Sequence, residues 1–282
     1  MKTKTIQEWR AIPTTNPIVA VMQTIREDAE DVMLRKRDAM ICFGGSGLGK
    51  NHIVDEVIAR MSPGNKRVAV DAPSNYKSVL KSFHDATHSR KKPLPVVFDE
   101  ARLVFGTEAN MNTLKAATGD NSPKWVADYE WYDTEVDEET GAEKKVKRHG
   151  VSVDAPIFIM TNANLHDLPD KHRAHAEALF SSRAQPICIP DDRLAAWEYA
   201  GWLALDAGIL NRYQTQPISL KTRVAALDWF TAHVWQLGQV SVRVLKNILR
   251  EMVAGTVSGI VGDQAKSIFD AGADGGKTVA PA

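Results

Sequence analysis

Gly44-Gly45-Ser46-Gly47-Leu48-Gly49-Lys50-Asn51 decides how this chain folds. The stretch follows a short apolar run, Asp38 to Phe43, which reads as a strand. It precedes Ile53, Val54, Val57, Ile58 and Met61, whose spacing fits one face of a helix closed by Pro63-Gly64. Strand, glycine loop and helix come in that order, and the loop nearly matches G-x-x-x-x-G-K-[S/T] in the context that pattern requires. Glycines let backbone N–H groups turn inward around phosphate oxygens, and the helix N-terminus adds partial positive charge. Gly44, Gly45, Ser46, Gly47, Leu48 and Gly49 are thus expected to cradle a nucleotide's phosphates, with Lys50 reaching the β- and γ-phosphates. One position departs from the pattern. Where a hydroxyl would ligate magnesium stands Asn51, whose amide oxygen has a different reach. Binding is expected to survive that change, and the turnover rate is what it puts in question.

Working outward, residues 17–37 place Ile18, Val21, Met22, Ile25, Ala29, Val32 and Met33 on one helical face. Arg67 to Asp71 reads as a second strand and Ser74 to His84 as a second helix. Pro95 to Glu100 is a buried strand ending in two acids. Ala155 to Met160 is another, ending in Thr161-Asn162, and Gln185 to Ile189 is a short fifth. Strands alternating with helices imply an α/β fold, a mainly parallel five-stranded sheet between helices; with the glycine loop it resembles the fold of P-loop NTPases. Beyond Pro190 only helical patterns are visible: Asp191 to Ala207, Lys221 to Leu237 and Ser241 to Ala254. The expected organisation is an N-terminal arm and helix over 1–37, the ATPase core over 38–190, a small helical lid over 191–255 and a disordered tail over 256–282.

Asp99 and Glu100 close an apolar strand about fifty residues after the glycine loop. At the carboxyl end of a central strand Asp99 is placed to hold the magnesium shell and Glu100 to polarise the attacking water as general base. Asn162 ends the next buried strand, where an amide is expected to lie between the loop and Glu100 and to hold the water or the γ-phosphate. A turn-forming asparagine is the plainer account of that residue.

Composition sets outer bounds. The 282 residues carry 35 Lys+Arg and 35 Asp+Glu, so whole-molecule electrostatic capture by DNA or anionic lipid is excluded, though a local basic patch is not. Cys42 and Cys188 each sit in a short apolar run and read as small buried hydrophobes. Met1 to Arg10 lacks the apolar core of a signal peptide, and no stretch approaches the roughly 20 apolar residues of a membrane span. No membrane partner and a cytoplasmic location are therefore expected. Trp197, Trp202, Trp229 and Trp235 fall in apolar-periodic stretches and read as core, leaving Trp125 and Trp131 as the tryptophans to test against nucleic acid.

These residues resemble the AAA+ ATPase family over roughly residues 38–254. In that likeness Gly44 to Asn51 is Walker A, Val96 to Glu100 is Walker B, and Asn162 is sensor 1. Ser182-Arg183 looks like the arginine-finger site of clamp loaders, and Ser241-Val242-Arg243 looks like sensor 2. The resemblance implies ATP and magnesium as ligands and a homo-oligomeric ring, with a hexamer as its expected size. It also implies that Arg183 reaches a neighbouring subunit's γ-phosphate and that Arg243 contacts the nucleotide from the lid. Cations there stabilise charge spreading over the γ-phosphate oxygens.

Tyr129 to Val136 alternates weakly, 137–141 supplies turn residues, and Lys144 to His149 returns toward Val151 and Val153. This reads as a β-hairpin, an insertion over about 125–153. It resembles the pre-sensor-1 hairpin found in superfamily-three viral helicases among others, where basic residues grip DNA in the ring pore. Lys144, Lys145, Lys147 and Arg148 are the candidate phosphate contacts, and the opposing Asp137, Glu138, Glu139 and Glu143 leave a charge-balanced solvated hairpin as the other reading. The segment 111–118 and the Phe-Ile-Met-Thr-Asn strand look like AAA+ proteins of phages and plasmids, which places the protein in a bacterial or phage-infected cytoplasm.

Three functions remain in view. One is an ATP-driven nucleic-acid motor or loader with DNA at the hairpin, recruited by another, unidentified protein. Another is a protein-remodelling or assembly ATPase. The third is a nucleotide-dependent structural oligomer with slow hydrolysis, which Asn51 favours.

Overall fold

The central strands are short, apolar and buried on both faces, as parallel strands covered by helices must be. The computed structural model describes residues 4–64, 67–71, 76–88, 93–99, 108–118, 124–136, 143–163, 169–170, 173–174, 177, 184, 186–205, 212–213 and 216–253. The helices are α1 (Ile6–Ala11), α2 (Pro17–Met33), α3 (Lys50–Met61), α4 (Tyr76–His88), α5 (Glu108–Ala117), α6 (Arg193–Leu205), α7 (Leu220–His233) and α8 (Val242–Val253). The strands are β1 (Ala39–Phe43), β2 (Val68–Asp71), β3 (Val96–Asp99), β4 (Lys124–Val136), β5 (Glu143–Val153), β6 (Ile157–Met160), β7 (Pro186–Cys188), β8 (Arg212–Tyr213) and β9 (Gln216–Pro217). The chain forms two compact units: Val21–Gly45 with Lys50–Ile189, and Met1–Ala20 with Ser46–Gly49 and Pro190–Ala282.

The first unit holds the parallel five-stranded sheet, in the order β2-β3-β6-β1-β7. Ile41 pairs with Ile159 and Cys42 with Met160, while Phe98 pairs with Ile159 from the other side, so β6 lies between β1 and β3. One face of the sheet (Ala39, Ile41, Phe43, Val96, Phe98, Ile157, Ile159) packs with Val79, Leu80 and Phe83 of α4 and with Met111 and Leu114 of α5. Phe83 meets Phe98 edge-on at 5.7 Å between centroids. The alternate residues Met40, Cys42, Val97, Phe158 and Met160 are buried as fully. α2 buries Met22, Ile25, Ala29 and Val32, and α3 buries Ile53, Val54, Val57 and Ile58. Arg26–Glu56 (2.9 Å) and Arg60–Glu30 tie these two helices together.

β4 and β5 form the antiparallel hairpin, with a register irregularity between Val126 and Glu130. Its base is anchored in the core by buried Val151 and Val153 and by the Thr87 hydroxyl, which donates to the Ser152 carbonyl at 3.0 Å.

In the second unit the amino-terminal segment is a short helix, unannounced by any apolar period. A capping box starts it: Thr5 accepts from the Glu8 N–H, and Glu8 accepts from the Thr5 N–H. Trp9, 2% exposed, stands edge-on to Trp197 of α6 at 4.7 Å. Trp197 in turn donates to the Thr231 hydroxyl of α7 at 3.0 Å. Buried Asn16 accepts from the Ile18 N–H at the start of α2 and donates to the Ala195 carbonyl. The Trp9 ring lies so close to Gly201 that an added Cβ would meet it at 2.1 Å. Gly201→Ala is therefore expected to destabilise the protein by about 1–3 kcal/mol, an overpacking cost that chemical denaturation would measure.

Three expectations are corrected. The region past Pro190 is not helical alone, because β8 and β9 pair antiparallel, Arg212 with Pro217 and Tyr213 with Gln216. Strands this short show no periodicity in a sequence. Cys188 is exposed, because β7 is an edge strand and its alternation turns Ile187 and Ile189 inward instead. Trp235 is 63% exposed, since α7 stops at His233 and the helical face does not extend to it. Among the described residues no helix is long and apolar enough to cross a membrane.

Candidate functional site

The glycine loop starts where β1 runs out of partners. Phe43 still accepts from the Ile189 N–H at 2.9 Å, Cys42 accepts from the Thr161 N–H at 2.9 Å, and the Gly44 N–H donates to Ala163 at 3.2 Å. The chain end of β1 is thus stitched to the ends of both neighbouring strands. Gly44 has φ +113°, and a Cβ there would lie 2.8 Å from the Ile189 carbonyl, so backbone occupies the space a side chain would need. Burial pushes the Cys42 thiol up to about 12, which keeps it protonated and inert.

Lys50 opens α3 and is only 5% exposed. Its ammonium donates to the carbonyls of Gly44 and Gly45 (2.8 Å to the latter) and to Asn162 Oδ1 at 3.2 Å. One residue on, Asn51 Nδ2 donates to Asp99 Oδ2 at 2.7 Å. Asn51 Oδ1 accepts nothing among the described residues. The structure therefore brings Lys50 to Asn162 and Asn51 to Asp99, at the carboxyl ends of β1, β6 and β3. Ligands of parallel sheets bind at those ends.

The middle of the loop belongs to the second unit. There the Ser46 carbonyl accepts from Gln239 Nε2 at 2.5 Å, and the Gly47 carbonyl accepts from the Arg243 N–H at 3.2 Å. Arg243 also reaches the Ser46 hydroxyl at 3.5 Å with an exposed side chain. Gly47 has φ +75°, and a Cβ on it would meet Ser241 Oγ at 2.9 Å and Arg243 Cβ at 3.0 Å. Sequence reading marked Arg243 and missed Gln239, because no periodicity or motif sets a glutamine in a connecting segment apart.

Glu100 and Arg183 lie outside the described residues. Lys144, Lys145, Lys147 and Arg148 are all exposed on β5, and pairing divides them between the two faces of the hairpin. Lys145 stands opposite Thr134, Lys147 opposite Tyr132 and His149 opposite Glu130. On the alternate register positions Lys144 stands opposite Glu135 and Arg148 opposite Trp131, with Val146 opposite Asp133. Trp125 pairs with Ser152. Tyr132 is 68% exposed on the face of Lys145 and Lys147. Lys147 binds Glu130 at 2.7 Å, which holds the Glu130 carboxyl below the usual range and Lys147 above its own.

Fold and loop together define an α/β protein with a glycine-rich loop between β1 and α3 at the carboxyl end of a parallel sheet. No protein-family model matches the chain, and no curated protein matches it. Among solved structures it is similar to domain III of the Thermotoga maritima replication initiation protein DnaA. That alignment has 12% identity and a TM-score of 0.46, covering 88% of this chain and 91% of that one. NtrX from Brucella abortus, solved in complex with ADP and with ATP, aligns at 18% and 17% identity with TM-scores of 0.39 and 0.40. Those alignments cover 86% and 84% of this chain, which spans about half of each NtrX chain, 51%. Likenesses this distant leave function to the geometry of the site itself.

Proposed function

We propose that this chain is an ATPase of the AAA+ kind, which binds and hydrolyses ATP in a homo-oligomeric ring and acts on nucleic acid. The observation that carries the proposal is the pairing of Lys50 with Asn162 and of Asn51 with Asp99 at three adjacent strand ends. The Lys50 ammonium is satisfied by loop carbonyls. An arriving triphosphate offers charged oxygens in their place, and the attraction between opposite charges exceeds that between an ammonium and neutral carbonyls. Asn162 stays within reach of Lys50 and orients the γ-phosphate or the attacking water. Glu100 follows Asp99 directly and takes the proton of that water as its oxygen bonds to the γ-phosphorus and the bond to the β-phosphate oxygen breaks. Arg183 from a neighbouring subunit and Arg243 from the lid supply cations for the transition state.

Asn51 Oδ1 and the Asp99 carboxylate form an oxygen donor set that suits magnesium, a hard cation. Magnesium there would neutralise charge on the phosphate oxygens. Asn51 commits its amide N–H to Asp99, which leaves that carboxylate already engaged. This contact favours slow turnover and supports the reading of a nucleotide-dependent structural oligomer as the second possibility.

The nucleic-acid role draws on the hairpin face carrying Lys145, Lys147, His149, Thr134 and Tyr132, where Glu130 and Glu143 are the acids at the paired positions. Phosphate contacts from such a face are salt-sensitive and carry no sequence information. The test is ATP turnover with and without single- and double-stranded DNA, with mass measured in parallel. We expect DNA to raise the rate and ATP to raise the mass. A large ATP-dependent assembly indifferent to DNA selects protein remodelling or the structural oligomer. Absence of nucleotide binding overturns the ATPase itself.

A further inference from the structure

We infer that Gln239 is a positioning residue that aims the backbone donors of the phosphate-binding loop; the inference rests on the nucleotide site proposed above. The argument uses the planarity of the peptide unit. In a trans peptide the C=O and the following N–H point in opposite directions. The Ser46 carbonyl is held by Gln239 Nε2 at 2.5 Å, so the Gly47 N–H faces away from residues 239–243. The Gly47 carbonyl is held by the Arg243 N–H at 3.2 Å, so the Leu48 N–H faces away as well. Two successive donors are thereby turned to the same side of the loop, the arrangement that makes an anion-binding nest. Among the described residues neither N–H finds an acceptor. An unpaired pair of backbone donors is costly unless a ligand or water meets it.

The holding segment is itself well fixed. Ser241, 0% exposed, caps α8 by accepting the Val244 N–H at 3.3 Å. The Arg243 N–H, one of the donors that a helix start leaves without an intrahelical partner, goes to Gly47 instead. Leu237 and Val240, both buried, flank Gln239 on either side. Of the two contacts, the one from Arg243 is backbone and any residue but proline supplies it. The contact from Gln239 needs a side-chain donor of that length, so it is where sequence enters.

Gln239→Met keeps the length and removes the donor, and Gln239→Lys restores a donor. Calorimetric titration with ATP and with ADP, steady-state kinetics and thermal unfolding are measured on the full chain. For Gln239→Met we expect both nucleotides to bind roughly 3- to 10-fold more weakly, the equivalent of one lost hydrogen bond. KM should rise by the same factor with kcat little changed, since the loop is misaligned for ground and transition state alike. Gln239→Lys should bind nucleotide nearly as the parent does. A Met variant that binds like the parent overturns the inference and leaves the ATPase reading intact. Equal losses of affinity in the Met and Lys variants, tracking a lowered Tm, also overturn it, because the role is then merely structural. A parent protein that binds neither nucleotide removes the nucleotide site, and the inference with it.

Discussion

Lys50→Ala is expected to weaken ATP binding by on the order of 10²- to 10³-fold, the equivalent of about 3–4 kcal/mol. The magnitude follows from where the ammonium sits. It is 5% exposed and held by the Gly44 and Gly45 carbonyls and by Asn162 Oδ1, so it points into the loop without first losing a water shell. A triphosphate replacing those neutral acceptors gains a charge-assisted contact in a site already shielded from solvent. With alanine, the phosphates must enter the same shielded site with one positive charge fewer, and breaking a buried charge pair from one side is among the costlier substitutions. In the folded protein the lost hydrogen bonds are offset by removing a buried charge whose acceptors are neutral, so thermal unfolding should shift far less than affinity. Titration calorimetry measures the affinity and a thermal melt the stability. An unchanged affinity would place the triphosphate elsewhere and remove the site.

Gly47→Ala is expected to cost roughly 2–5 kcal/mol, by adding the left-handed backbone penalty to overpacking. At φ +75° an L side chain is strained, and its Cβ would lie 2.9 Å from Ser241 Oγ and 3.0 Å from Arg243 Cβ. Ser241 cannot step aside cheaply, being fully buried and capping α8. Either the loop abandons its grip on residues 239–243 or the start of α8 moves. Both outcomes break the hydrogen bond from Arg243 to Gly47, so nucleotide affinity should fall together with stability. Chemical denaturation and ATP titration on the same variant measure the two losses. A variant that keeps both would mean that the loop adopts another backbone path there.

Much of the site was legible before any coordinate. The glycine loop, its lysine and the Asp99 strand end announce themselves by composition and by the apolar runs around them. The helices α3 and α8 were visible because one buried face imposes a period, and the parallel strands because burial on both faces leaves a continuous apolar run. What escaped has the opposite character. β8 and β9 are too short to alternate, Trp9 meets Gly201 and Trp197 across nearly two hundred residues of sequence, and Gln239 stands in a stretch without pattern. The hairpin shows the boundary within one element. Its four basic residues are plain in the sequence, but their division into a face with Tyr132 and a face opposite Glu135 depends on which residue pairs with which. A slip of one position would exchange the faces.

Sequence alone determined the chemistry available to this protein: a glycine loop ending in Lys50, an amide at 51 where a hydroxyl is usual, and a carboxylate and an amide closing two apolar strands. These are local facts, carried by residue type and period. Tertiary structure decided which of them meet. β6 inserts between β1 and β3, so Asn162 comes to Lys50 and Asp99 to Asn51, and the loop carbonyls at 46 and 47 are claimed by Gln239 and Arg243. Strand order and peptide orientation follow from packing between segments far apart in the chain, and no local pattern of residues records them.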